Sequence, residues 1–164
     1  MTLPAKRAEP INTIEIVFPE DSNHFQSLFG GRLLAWMDKA SYYAAFRYAG
    51  FPAVTASVES LDFSHSPKVG DVLDIIAQVI HTGRSSMVIK VDVYCQDVYH
   101  KKEKVLANTG FFNFVALDHE GHPQPIPPLL VETETEKSLW ELGLKVKERA
   151  RNRRQDTPRK GQKN

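Results

Sequence analysis

Across residues 33–48, apolar or small side chains recur around nearly every side of a helix, and Gly50 and Pro52 then stop the pattern. A helix with so little polar surface is predicted to be buried rather than to lie on the outside of a domain. The rest of the chain must therefore supply what surrounds it. Ahead of this helix, which Phe29-Gly30-Gly31 opens, residues 13–18 (TIEIVF) alternate polar and apolar and end at Pro19, as a strand does. After it come extended segments at 54–63, 72–82, 86–96 and 105–118. Turn signals divide them: His65-Ser66-Pro67 with Gly70-Asp71, then Gly83-Arg84, then the charged stretch 97–104. In the third segment Met87, Ile89, Val91, Val93 and Cys95 alternate with Val88, Lys90, Asp92, Tyr94 and Gln96, which predicts a sheet covered mainly on one side. The fold class is α+β: a curved antiparallel sheet of about five strands wrapped around one long central helix. Such a sheet leaves strand edges unpaired, and edge-to-edge dimerisation is the expected remedy.

The proline-rich stretch 123–128 cannot join a ladder. Helical periodicity returns over about 133–153, with Leu139, Leu142 and Val146 on one side. The expected organisation is a single domain over 1–130, a C-terminal helix over 131–154 and a basic, disordered tail over 155–164. A chain of 164 residues with 41% hydrophobic and 25% charged residues fits one globular domain. Residues 145–164 hold nine Lys/Arg against two Asp/Glu, so a net charge of +1 conceals a basic end on an acidic body. A nucleic-acid-binding domain would carry its positive charge on the folded face, so no specific nucleic-acid partner is expected. The single cysteine, Cys95, excludes an internal disulfide and favours a cytoplasmic location. No membrane partner is expected, because no apolar run approaches the roughly 20 residues that cross a bilayer.

Most catalytic constellations are missing. The six histidines, His24, His65, His81, His100, His119 and His122, lie mostly in different loops and show no helical ligand spacing, so no metal site is expected. Gly-x-Ser-x-Gly, Walker A and G-x-G-x-x-G patterns are absent, and Cys95 alternates with core residues as a small apolar filler. What remains is Asp38, which on a helical wheel falls among Leu34, Ala35, Ser41, Tyr42 and Ala45. A lone carboxylate in small or apolar surroundings costs several kcal/mol unless it is paired or hydrogen-bonded. It either caps or pairs within an interface, or it is reactive. Gly30 and Gly31 lie about two turns upstream, where glycines admit a ligand close to the backbone and the first-turn N–H groups favour a negative oxygen. Tight packing of the helix start accounts for the same glycines. Amides and a carboxylate so placed can polarise a carbonyl and direct water at it.

These residues resemble a family. Asn23-His24, residues 29–38 (FGGRLLAWMD), 54–58 (VTASV), 69–71 (VGD), 82–86 (TGRSS) and 111–118 (FFNFVALD), followed by Gly121 and Pro125-Ile126-Pro127, stand in the order and spacing of the hotdog-fold acyl-CoA thioesterases. The resemblance covers about residues 10–150. It implies a hotdog fold, an acyl-CoA hydrolase that releases a free carboxylate and CoA, and Asp38 as the catalytic carboxylate. It implies further that the N–H of Gly31, beside Gly30, holds the thioester oxygen, with Asn23 and Ser27 completing the catalytic set. Gly83, Arg84, Ser85 and Ser86 would form the turn that meets the pantetheine and phosphates of CoA, and Thr55 and Ser57 would line the site from the central strand. No cofactor is implied, and the assembly expected is a dimer or a trimer of dimers. The sequence departs from the pattern at Gln26 and Ser27, where the family often has Gly followed by Asn or Asp.

Three rival readings follow from the same residues. One is a thioesterase acting on an acyl carrier protein or an aromatic acyl-CoA. Another is a non-catalytic acyl-CoA-binding protein, for which Gln26 and Ser27 are the support. The third is a dehydratase that uses His24.

Overall fold

The computed structural model describes residues 2–100 and 102–157. Its elements are β1 (Ile11–Ile16), a 3-10 turn (Pro19–Asp21), α1 (Gly30–Ala49), β2 (Ala53–Glu59), β3 (Val72–Thr82), β4 (Ser86–Gln96), β5 (Val105–Ala116) and α2 (Glu134–Asp156). The strands form one antiparallel sheet in the order β1-β3-β4-β5-β2. β3, β4 and β5 run as successive hairpins, with β1 and β2 as the outer edges. The first strand begins two residues earlier than its alternation predicts. The second ends at Glu59, because Ser60 takes a left-handed backbone with φ 53° and leaves the ladder.

The sheet curls around α1. Leu33, Met37, Ala40, Ala44, Ala45 and Tyr48 face Leu73, Ile75, Ile89, Val91, Phe112 and Phe114, all buried in one core. Each large side chain so buried contributes about 1.5–3 kcal/mol. Gly50 ends the helix in the left-handed conformation at φ 74°, its N–H bonded to the Phe46 carbonyl at 2.9 Å. The expectation that α1 is buried all round is corrected. Arg32, Ala35, Lys39, Tyr43 and Phe46 are exposed, because one curved sheet of five strands covers only one side of a helix.

The sheet's other face is also drier than the alternation predicts. α2 crosses it, and Val146 packs against Ile80 and Val88 in a second small core with Leu139 and Phe111. Thr133 and Glu136 start α2 as a capping box, the Glu136 N–H donating to Thr133 Oγ1 at 3.1 Å and the Thr133 N–H to Glu136 Oε2 at 3.0 Å. The helix continues to Asp156, past the expected boundary at 154; the predicted disorder of 158–164 falls outside the described residues. No described helix is long and apolar enough to cross a membrane.

Gly143 is the point of closest approach between α2 and the sheet. A Cβ there would lie 2.5 Å from the Cβ of His81 and 3.3 Å from Ile80 Cγ1. Gly143→Ala gains about 1 kcal/mol of helix propensity. It also forces two β-carbons apart, an overpacking cost at the upper end of about 1–3 kcal/mol. The variant is therefore expected to melt several degrees lower despite its better helix former, measured by thermal unfolding. An unchanged or raised melting temperature would show that α2 docks loosely.

Candidate active site

The helix start is held by a network in the loop before it. The buried carboxylate of Asp21 accepts the Phe18 N–H at 3.1 Å and lies 3.2 Å from Arg32 Nε, while its carbonyl takes the Phe29 N–H at 2.8 Å. Arg32, a cation in the first turn where the dipole disfavours one, is thereby compensated. The N–H groups of Gly30 and Gly31 take no acceptor among the described residues. A Cβ at Gly31 would come within 2.8 Å of the Phe29 ring, and one at Gly30 within 3.3 Å of the Phe63 ring. Both rings are exposed, and they flank the free amides as two apolar lips.

Asp38 lies seven residues beyond Gly31, on the same side of α1 and about 10 Å further along its axis at 1.5 Å per residue. Its side chain leans back toward the helix start, which leaves room between amide and carboxylate for a carbonyl and an attacking water. Asp38 is half-buried, and its Oδ1 accepts a hydrogen bond from Thr55 Oγ1 at 2.6 Å. That contact fixes one carboxylate oxygen and leaves the other without a partner among the described residues.

Thr55 reaches Asp38 because of a β-bulge. In β2, Thr55 stands opposite Phe114 and Ser57 opposite Asn113, so Ala56 is an extra residue without a partner. Regular alternation would place Thr55 and Ser57 on one face; the bulge turns Thr55 toward α1 and Ser57 toward the outer face. There Ser57 Oγ accepts from Asn113 Nδ2 at 2.9 Å. The expectation that both line one site from a central strand is corrected twice: β2 is an edge strand, and only Thr55 meets Asp38.

The other expected residues are placed as follows. Asn23 organises the loop before α1, its Oδ1 accepting the N–H groups of Phe25 (2.9 Å) and Ser27 (3.2 Å). Its Nδ2 donates to nothing among the described residues. Ser27 is buried, and its hydroxyl accepts from Lys68 Nζ at 2.6 Å; neither it nor Asn23 bonds to Asp38. Gln26 sits at φ 57°, a left-handed conformation that costs a side chain about 1–2 kcal/mol and that a glycine would take freely. His24 is exposed and lies against Phe25 with the two rings tilted at 41°, with no acidic partner among the described residues. Cys95 is buried, donates to Asp71 Oδ2 at 3.3 Å, and is pushed up to about 12 by burial first and then by Asp71, so it remains a thiol.

The β3–β4 turn closes with the Gly83 N–H on the Ser86 carbonyl at 2.8 Å. Its other carbonyls are occupied, that of Ser85 by the Ala116 N–H and that of Arg84 by the Ile126 N–H. Arg84 lines a separate cavity with Pro125, Ile126, Pro128 and Trp140. Lys147 of α2 stands against Gly83 and Ser86 instead. In the sequence Lys147 is one of a basic run, and its helical spacing with Arg151 and Arg154 places the three on one side of α2.

Residues 25–100 match the family model of the thioesterase superfamily. The chain is 36% identical to an acyl-CoA thioester hydrolase of Bacillus subtilis, itself described as uncharacterized, over 84% of this chain and 80% of the relative. The chain belongs to the thioesterase superfamily. Its fold is the hotdog thioesterase fold. A hexameric acyl-CoA thioesterase in its apo form superposes on this thioesterase chain with a TM-score of 0.86 at 35% identity, over 92% of this chain and 97% of the other. An asparagine-to-alanine variant of an acyl-CoA hydrolase from Staphylococcus aureus, bound to coenzyme A, gives the same TM-score and identity, over 93% and 92%. That enzyme has also been solved with butyryl-CoA, and as variants in which an aspartate and a threonine were each replaced by alanine.

Proposed function

We propose that this protein hydrolyses acyl-CoA thioesters to a carboxylate and free CoA, with Asp38 as the carboxylate that activates water. The observation that carries this reading is the Asp38–Thr55 pair on the open side of α1, in line with the unpaired amides of Gly30 and Gly31. A second observation agrees. The three residues replaced in the Staphylococcus enzyme are separated by 15 and 17 positions, the intervals between Asn23, Asp38 and Thr55. Water loses a proton to Asp38 and its oxygen bonds to the thioester carbon, whose own oxygen gathers charge at the Gly31 N–H. The C–S bond then breaks, and the proton passes to the departing thiolate. Thr55 holds the carboxylate in position. Asn23, with its Nδ2 free, is a further donor for the carbonyl or the water. Ser27, engaged by Lys68, is left out of this scheme, and no metal or prosthetic group is required by it.

We further propose that the working form is a homo-oligomer closed along the edge of β2, as a dimer or a trimer of dimers. The hexameric neighbours support this, as do the exposed apolar side chains around that edge.

The deciding experiment is a thiol-release assay over acyl-CoA esters from acetyl to palmitoyl. Turnover far above the rate in buffer is expected for at least one chain length. A flat background throughout would favour the non-catalytic binding protein.

A further inference from the structure

Where β3 begins and β4 ends, the loop between β2 and β3 borders a cavity of about 380 Å³. His65, Asp71 and Cys95 line it, and one ligating atom of each lies within 4.8 Å of those of the other two. Asp71 and Cys95 are only 8% and 3% exposed, while His65 is open to solvent. Cys95 Sγ lies 3.3 Å from Asp71 Oδ2. A tetrahedral zinc ion at about 2.3 Å from sulfur and about 2.0 Å from oxygen sets those two ligands about 3.5 Å apart, so the pair already stands at the spacing one ion requires. A buried carboxylate, moreover, needs a counter-charge or full hydrogen bonding. Asp71 has neither: Oδ2 accepts the Lys68 N–H at 2.8 Å and the Cys95 thiol, and Oδ1, on the same cavity-lining side chain, takes no donor among the described residues. No described cation pairs with it, and Lys68 gives its ammonium to Ser27 Oγ at 2.6 Å. The His65 imidazole makes no hydrogen bond among the described residues. Asp97 and His100 line the same cavity but are bonded to each other at 2.6 Å.

A nitrogen, an oxygen and a sulfur donor make a ligand set for zinc, whereas calcium and magnesium take oxygen alone. We propose that His65, Asp71 and Cys95 bind one zinc ion per chain, with water in the fourth position. The Cys95 S–H bond breaks as the Zn–S bond forms, the proton passes to solvent, and the metal stays divalent. The charges of carboxylate, thiolate and ion then cancel. Zinc so held ties the β2–β3 loop to the sheet. That loop carries Phe63, two residues before His65, whose ring packs beside Gly30 at the candidate active site. The ion is a brace for that wall and takes no part in hydrolysis, so the site stands apart from the thioesterase reading. The sequence conceals the set, because 6 and 24 residues separate its members. Asp118, Glu120 and His122 also converge, but in a surface turn whose Asp118 carboxylate already accepts the N–H groups of Glu120 and His122.

The test uses the full chain, stripped of metal with a chelator and titrated with zinc chloride in calorimetry and with cobalt chloride in absorption. H65Q and C95S are compared with the parent, and H122Q serves as the control for the surface turn. Each is checked for melting temperature and assembly; His65 is exposed, so H65Q probes the site without disturbing the core. The parent is expected to take up one zinc per chain with a micromolar or tighter dissociation constant. H65Q and C95S should each weaken it at least tenfold, and H122Q should leave it unmoved. Cobalt should give a thiolate-to-metal charge-transfer band that C95S abolishes, a signature that Cys95 as a mere core filler would not produce. Zinc should also raise the parent's melting temperature and slow amide hydrogen exchange across 60–71, and do neither in H65Q. No uptake of zinc, uptake that survives both H65Q and C95S, or uptake lost in H122Q would overturn the proposal. Cobalt bound without the thiolate band would overturn it as well. A chain that binds zinc as expected yet hydrolyses no ester would support this site and count against the thioesterase reading alone.

Discussion

Replacing Asp38 by asparagine is expected to lower turnover about 10²- to 10⁴-fold, the usual scale for losing general-base help. The amide keeps the shape of the side chain and can still accept from Thr55 Oγ1 through its oxygen, so the 2.6 Å contact survives. What it loses is the capacity to take a proton from water. Asp38 is half-buried on the open side of α1 and is not part of the core, so the substitution should leave stability nearly untouched. A structural acid behaves otherwise: the same change would shift the melting temperature, and activity would follow the folded fraction. Stability, CoA-ester binding and turnover measured on one assembled preparation therefore separate the two roles. Turnover within a few-fold of the parent would remove Asp38 from the mechanism.

How far the sequence discloses this arrangement depends on the range of the forces involved. α1, β3 and β4 are legible within a residue or two because their side-chain periods are local and their ends carry Gly50, Gly70 and Gly83. Asp38 stands out because a carboxylate on a small, apolar helix face conflicts with its surroundings. The bulge at Ala56 is invisible: VTASV alternates without a break, and only pairing with β5 shows that one residue is extra. The partition of Thr55 and Ser57 between two faces follows from that pairing alone. The same holds for Lys147, Arg151 and Arg154, which read as a solvated basic run until α2 is laid across the sheet. Gly143, the glycine that permits its approach, gains its meaning only from that contact.

Placing lysine at Val58 on the edge of β2 is expected to break the assembly, and with it most of the activity. β2 pairs with β5 on one side only, so a row of its backbone groups is left to meet another strand. Around this edge Phe29, Phe46, Val54, Val58 and Phe63 are each more than a third exposed. Contiguous apolar surface of this kind marks an interface rather than a solvated face. A second copy of the chain placed edge to edge satisfies the backbone groups and covers the bare side of α1 that the sheet leaves open. It also closes the space over Asp38, where water must be limited to the one that reacts. Charges at an edge are the means by which proteins prevent such pairing, and two lysines brought together across a symmetric junction repel each other. The Val58→Lys variant should therefore fall toward the single-chain mass of 18.6 kDa by light scattering, keep its far-ultraviolet circular dichroism, and lose at least tenfold in turnover. Retention of the oligomer with unchanged activity would place the junction elsewhere, the edge of β1 with its exposed Ile14 and Ile16 being the alternative surface.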